Sequence, residues 1–170
     1  MRKSMRSTPG WHHTRSALAS VVALAALALA LTFHTAAAQD ADQHPPLPPG
    51  PIKDRHDLME KVGDAAKAIG AANKAGKPAD AVAPAESIAA ALQKAPSLFP
   101  PGSESKLSRA KPNVWTEKAK FDELALKGHD AALALAAAAK AGGELKAPSS
   151  AMFQTCKACH DQFRVPKEGE

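Results

Sequence analysis

Apolar residues recur at steps of three and four along four segments of this chain, and the apolar–polar alternation typical of strands is nearly absent. This spacing places one apolar stripe along each segment, which is typical of amphipathic α-helices. The predicted helices cover about residues 53–75, 79–95, 114–140 and 149–165. In chain order, the four stripes contain Met59, Val62, Ala66 and Ile69; Val82, Ala85, Ala89 and Leu92; Phe121, Leu124, Ala131, Leu135 and Ala138; and Met152, Cys156, Cys159 and Phe163. The pattern therefore predicts an all-α fold.

Glycine and proline mark the predicted helix ends. Gly76 ends the first helix, Pro96 the second and Gly142 the third, and Pro166 lies just beyond the fourth. Two short connections and one longer one join the helices, and the longer one contains no convincing strand. Short connections place successive helices side by side in opposite directions, so we predict an antiparallel four-helix bundle. Many stripe positions are alanine, which would leave a thin core if the helices packed without a further apolar group.

The amino-terminal part of the chain has the composition of an export signal. Its basic residues are not accompanied by any acid, residues 17–33 carry no charge and are rich in Ala, Leu and Val, and Ala36 to Ala38 form an A-x-A-type cleavage site. We predict a cleaved signal peptide at residues 1–38. An uncleaved membrane anchor is the alternative, but the apolar stretch is near the short limit for spanning and no stop-transfer charges follow it.

Removal of this signal changes the charge and the expected domain organisation. The chain has 22 basic and 17 acidic residues, and four of the basic ones lie in the signal, which leaves 18 against 17. This balance, with no Tyr and with Trp115 as the one tryptophan after the signal, argues against nucleic-acid binding. After a proline-rich extended lead-in at residues 39–52, we predict one helical domain at 53–166 and a short tail at 167–170.

The only two cysteines of the chain, Cys156 and Cys159, are followed directly by His160. Two thiols three residues apart lie within one helical turn, so both can bond the two vinyl groups of one porphyrin. A neutral imidazole next to them can ligate the iron as its proximal axial ligand. The spacing predicts one covalent haem c, held by Cys156 and Cys159 with His160 on the iron. Because bacteria attach haem c outside the cytoplasm, the export signal agrees with this prediction and points to the periplasm.

Three other uses of the cysteines are weaker. A Cys-x-x-Cys redox pair usually opens a helix after a strand, whereas the residues before Cys156 indicate no strand. A zinc site would need a fourth ligand from the distant His44, His56 or His129. A disulfide between Cys156 and Cys159 would close too small a loop to constrain the unfolded chain. The sequence also lacks a hydrolytic constellation or a phosphate-binding loop, so we predict that the protein is not an enzyme.

The chain resembles the class II c-type cytochromes, which comprise cytochrome c' and its low-spin relatives. The resemblance covers roughly residues 52–165. Its motifs are Arg55-x-x-x-Met59, Leu98-Phe99-Pro100, Pro112-x-Val114-Trp115 with Phe121, and Thr155-Cys156-Lys157-Ala158-Cys159-His160-Asp161 with Phe163-Arg164. The resemblance implies a periplasmic four-helix haem protein with His160 proximal, Met59 at the opposite haem face and Arg55 paired with a haem propionate. A solvated helix charge is the alternative for Arg55.

The residue at the opposite haem face separates two functions. A thioether is a soft iron ligand, and the run from Leu58 to Gly63 is similar to the low-spin relatives. The main expectation is therefore a one-electron carrier with Met59 as distal ligand, which docks with redox partner proteins and is not inserted in the membrane after cleavage. The alternative is a five-coordinate haem protein that binds NO or CO, in which Met59 only packs. A third hypothesis gives haem a purely structural role, and a homodimer stays open.

Overall fold

The described part of the chain, residues 46–166 of a computed structural model, contains five α-helices. They are α1 (Pro51–Ala75), α2 (Val82–Lys94), α3 (Asn113–Thr116), α4 (Lys118–Lys140) and α5 (Lys146–Phe163). Helices α1, α2, α4 and α5 form the antiparallel four-helix bundle, and α3 is a single turn before α4. Within residues 46–166 the one β-type contact is an isolated antiparallel bridge between Ala110 and Arg164. None of these helices has the length and apolar character needed to cross a membrane.

The predicted signal peptide, the tail at 167–170 and the first part of the predicted lead-in lie outside the described residues. Within the described part, α1 begins at Pro51, two residues before the predicted start. Proline suits the first position of a helix because its missing N–H would have had no partner there. The helix ends at Ala75 as predicted, because Gly76 takes the left-handed conformation at φ 63° and donates its backbone N–H to Ala72 and Asn73.

The second predicted helix, at 79–95, is divided into three pieces. A 3₁₀ turn at Pro78–Ala81 leads into α2, and a second 3₁₀ turn at Ala95–Leu98 follows α2. Pro96 therefore does not stop the helical path, because a proline near the start of a 3₁₀ turn removes no needed hydrogen bond. The longer connection begins after Leu98, which is three residues later than the pattern predicted.

Two further boundaries differ from the prediction. The third predicted helix, at 114–140, is interrupted at Glu117, whose φ of −116° and ψ of 40° are not helical. The fourth begins at Lys146 rather than at 149. The Glu144 carboxylate explains the earlier start, because it accepts hydrogen bonds from the backbone N–H groups of Lys146 at 2.6 Å and Ala147 at 3.3 Å. These are two of the donors that the first turn of a helix leaves without partners.

The apolar core consists of two separate clusters. The larger one, which we call the alanine-rich cluster, comprises Ile69, Ala72, Ala81, Ala85, Ile88, Ala89, Ala132, Leu135, Ala136, Ala139, Leu145 and Met152. The smaller one, which we call the aromatic cluster, has Val114, Phe121 and Phe163 as its buried residues, with Phe99, Ala110, Trp115, Leu124 and Cys159 packed against them. Its rings meet edge to face, with centroid separations of 5.8 Å for Phe99–Trp115, 4.8 Å for Phe99–Phe121 and 5.3 Å for Phe121–Phe163.

Candidate functional site

The two cysteines and the histidine of the predicted haem motif lie on α5 between the two core clusters. Met152 belongs to the alanine-rich cluster and Phe163 to the aromatic cluster, and both are buried as their stripe positions predicted. Between them Cys156, Cys159 and His160 are only partly buried. The segment of α5 that carries the motif therefore lies between the two clusters and is partly open to solvent.

Burial raises the pKa of both thiols. Desolvation is the main cause for Cys156, and a hydrogen bond with Thr155 opposes it. For Cys159 desolvation, with a smaller contribution from Cys156, raises the pKa to about 11. Redox-active Cys-x-x-Cys pairs need a stabilised thiolate, so this environment disfavours that alternative. Cys156 and Cys159 are not joined by a disulfide in the structure.

The backbones of helices α1 and α5 pack less closely than those of the other neighbouring helix pairs. The α1–α2, α2–α4 and α4–α5 pairs pack closely through their backbones, whereas in the described residues α1 and α5 do not. One direct link between α1 and α5 is the hydrogen bond from Asn73 Nδ2 to Ser149 Oγ, at 2.9 Å, beside the alanine-rich cluster. The backbones of α1 and α5 are therefore less closely spaced than those of the other three pairs.

The hydrogen bond between Asn73 and Ser149 shows that Met59 lies at the level of the haem motif. Met59 precedes Asn73 by fourteen residues, or about 21 Å along α1. Because α1 and α5 are antiparallel, the same distance along α5 from Ser149 ends at Phe163, within one turn of His160. Met59 is partly buried and follows Arg55 by one turn on the same helix face. The bundle thus brings Met59 and the haem motif to the same level.

Arg55 is a buried residue and not the solvated helix charge that was its alternative. Its side chain is 5% exposed, and its guanidinium carbon lies 4.8 Å from the ring centroid of Phe99. Nη2 donates to the backbone oxygen of Ser103 at 2.8 Å, and Nη1 donates to Ser103 Oγ at 3.3 Å and to Leu98 O at 3.4 Å. The sequence did not indicate that Arg55 anchors this connection.

One buried nitrogen of Arg55 lacks a partner in this structure. Nε is inaccessible to solvent and makes no hydrogen bond. Burial lowers the pKa of Arg55, and the charge of Glu104 opposes that shift. The hydrogen-bond acceptors of Arg55 are neutral oxygens, so a further anionic group would satisfy Nε and stabilise the buried charge. A haem propionate has this chemistry.

The described residues fit a haem. One buried cluster lies on each side of Cys156, Cys159 and His160 along α5, and Met59 of α1 lies at the same level. His160 also borders an open cavity of about 510 Å³, which Lys157, Asp161, Arg164 and Pro166 line as well. A porphyrin is a large apolar plate with two carboxylates, so it could join the two clusters and give Arg55 an anionic partner.

Gly128 is a residue near the motif whose importance the helical pattern did not reveal. A Cβ at this position would lie 2.8 Å from Leu92 Cδ1 and 3.4 Å from Thr155 Oγ1. Glycine therefore allows α4 to approach α2 and α5 beside Cys156. The available signal was a glycine within a helix, where it costs about 1 kcal/mol relative to alanine and usually needs a reason.

Two other histidines in the described residues, His56 and His129, lie apart from the motif, and His44 lies outside the described residues. His56 is partly buried on α1, and its Nδ1 lies 3.6 Å from a Glu60 oxygen and 3.8 Å from an Asp57 oxygen. His129 Nδ1 lies 2.9 Å from Asp130 Oδ1 on α4. These contacts are local pairs with neighbouring carboxylates, and neither histidine supplies a fourth ligand to a zinc site at the two cysteines.

Comparisons with known proteins agree with this geometry. Residues 50–164 match the family described as Cytochrome C'. The cytochrome c' of Rhodopseudomonas palustris is 36% identical over 120 residues, which cover 68% of this chain and 82% of the relative. A crystal structure of cytochrome c' from that organism has a TM-score of 0.63 at 34% identity and covers 71% of this chain and 99% of its own.

A second solved structure comes from Alcaligenes xylosoxidans. It is the nitric oxide complex of a cytochrome c prime variant, with a TM-score of 0.62 at 26% identity, and the alignment covers 68% of this chain and 94% of that one. The family match extends over most of this chain and includes the whole bundle with Cys156, Cys159 and His160. The chain belongs to the cytochrome c' family of class II c-type cytochromes, whose cofactor is covalent haem c.

Proposed function

We propose that this protein is an exported haem protein that binds NO or CO at a five-coordinate iron. The observation that carries the proposal is the match of the whole bundle to cytochromes c', one of which was solved as a nitric oxide complex. The predicted signal peptide at residues 1–38 supports export, with the helical domain in the periplasm. The sequence favoured a different function, an electron carrier whose iron is ligated by both His160 and Met59. The relatives do not support that function, and the present proposal takes its place.

Four residues hold the cofactor in this proposal. When bound, haem c would supply an iron atom that His160 ligates and that can bind a diatomic gas. Cys156 and Cys159 fix the porphyrin to α5 through two thioether bonds. His160, in the last turn of α5, supplies the imidazole on one side, and Arg55 donates to a propionate through the nitrogen that lacks a partner.

In this proposal Met59 would pack beside the haem without bonding to the iron. It lies on α1 at the level of the motif on α5, and its unbranched side chain can fill an irregular apolar space. Because α1 is a continuous helix of 25 residues, the backbone of Met59 is fixed by hydrogen bonds on both sides. An incoming gas must therefore displace the side chain rather than the helix, which makes Met59 a steric control of gas entry.

A carbon monoxide titration of the ferrous holoprotein tests this function. We expect CO to bind to the unmodified protein, and Met59→Ala to speed CO association at least about tenfold, the factor that a barrier lower by about 1.4 kcal/mol gives. Stopped-flow absorbance measures the rate. Met152→Leu is the matched control, because Met152 is fully buried in the alanine-rich cluster and its replacement should leave the rate unchanged. Failure of the unmodified ferrous protein to bind CO would contradict the proposal.

A further inference from the structure

The last turn of α5 runs from His160 to Phe163. It is capped by a segment about fifty residues earlier in the chain. The last four carbonyl groups of an α-helix have no N–H partner within the same helix. In α5 these belong to His160 through Phe163. The His160 carbonyl accepts from the backbone N–H of Arg164 at 2.9 Å. The other three accept from only two residues, Lys111 and Asn113.

Each of the three contacts is a direct hydrogen bond. The Lys111 ammonium donates to Asp161 O at 2.8 Å, and the Lys111 backbone N–H donates to Phe163 O at 2.9 Å. Asn113 Nδ2 donates to Gln162 O at 3.3 Å. A lysine at this position also places a positive charge at the negative end of the helix dipole. The last turn of α5 therefore has a partner for every carbonyl.

Further contacts hold the same segment against the chain beyond α5. The backbone N–H of Val165 donates to Arg109 O at 2.7 Å, and Ala110 forms a β-bridge with Arg164. On the other side Lys111 leads into α3, which carries the buried Val114 of the aromatic cluster. The cap is thus attached to the folded core and is not an isolated surface contact.

We propose that Lys111 and Asn113 are positioning residues for His160. The inference rests on the proposed role of His160 as the proximal iron ligand. Helix ends normally fray, and a ligand in the last turn would move with them. Because both residues hold the carbonyls of the three residues that follow His160, they prevent the last turn from opening. They thereby fix the imidazole relative to α5 when a ligand binds at the other face.

The test uses ferrous holoprotein with Lys111→Met, which removes the ammonium but keeps the backbone N–H. We expect hydrogen exchange at the amides of residues 161–165 to become about tenfold faster, as the loss of one charge-assisted hydrogen bond predicts. We expect the iron–histidine stretching band in the resonance Raman spectrum to broaden and move to lower frequency. Asn113→Ala removes the longer bond to Gln162 O, together with a bond to Glu117 Oε1 at 3.4 Å, and should change both measurements in the same direction by less.

Two variants serve as controls. Lys111→Arg keeps a cationic donor and should restore both measurements. Lys106→Met removes an exposed lysine from the same connection and should change neither. An unchanged iron–histidine band in both Lys111→Met and Asn113→Ala would overturn the positioning role. Absence of an iron–histidine band in the unmodified ferrous protein would instead overturn the proposed function, so the two failures are distinguishable.

Discussion

Replacement of both cysteines, Cys156→Ala and Cys159→Ala, is expected to abolish covalent haem completely. Each thioether forms when a thiol S–H adds across a porphyrin vinyl group, so that one carbon–sulfur and one carbon–hydrogen bond replace the S–H bond and the C=C double bond. These are the only two cysteines of the chain, so no other thiol can take over. Mass spectrometry of the denatured protein should show the mass of one haem in the wild type and none in the double variant.

The double variant should also be much less stable. Among the described residues, the buried core forms two clusters, one on each side of the motif along α5, so a bound porphyrin would add apolar contacts to both. We expect the free energy of unfolding to fall by more than about 4 kcal/mol, the stabilisation that a ligand gives at a thousand times its dissociation constant. Thermal unfolding followed by circular dichroism measures the loss.

Controls for this prediction come from the same motif. Lys157→Ala changes the exposed residue between the cysteines and should keep the haem and most of the stability. Each single cysteine variant should keep haem through one thioether. Retention of the haem mass in the double variant after denaturation would contradict the assignment of Cys156 and Cys159.

The second large effect is expected for Arg55→Leu. This change removes three hydrogen bonds from a buried guanidinium to the residue 98–103 connection, whose acceptors are two carbonyl oxygens and the Ser103 hydroxyl. We expect the holoprotein to lose about 1.5–3 kcal/mol of stability, the range for hydrogen bonds to charged groups. Denaturant unfolding followed by haem absorbance measures this loss, and hydrogen exchange should become faster at residues 99–104.

Lys67→Leu is the matched control for Arg55→Leu. Lys67 lies on the same helix, and its ion pair with Asp64 is highly exposed, so its replacement should have little effect on stability. Arg55→Lys should not rescue the variant, because an ammonium cannot form the planar set of hydrogen bonds that the guanidinium forms. Wild-type stability in Arg55→Leu would contradict the anchoring role.

Local patterns in the sequence predicted the helix ends and the buried helix faces well where single residues determine them. Gly76 ends α1 in the left-handed conformation, and the stripe residues Met152 and Phe163 are buried in α5. The interruption at Glu117 was not predicted, because the apolar spacing of Val114, Phe121 and Leu124 continues across it. The start of α5 was placed too late because the decisive group, the Glu144 carboxylate, lies before the helix and outside its apolar pattern.

In the site, too, features set by neighbouring residues could be predicted from the sequence, whereas contacts between distant residues could not. The spacing of Cys156, Cys159 and His160 is a local signal that identified the cofactor, and short motifs elsewhere in the chain were needed as well to indicate the family. The contacts of Arg55 with Ser103 join residues 48 positions apart, and the cap from Lys111 to Asp161 joins residues 50 positions apart. No spacing rule predicts such contacts, because they depend on how the long connection folds over the end of the bundle.

The spin state of the iron tests the central claim most directly. The measurement is the absorption and electron paramagnetic resonance spectrum of the unmodified ferric holoprotein. A haem held by Cys156, Cys159 and His160 with Met59 unbound predicts a high-spin, five-coordinate spectrum that Met59→Ala leaves high-spin. A low-spin, six-coordinate spectrum that becomes high-spin in Met59→Ala would show that Met59 ligates the iron and would contradict the account.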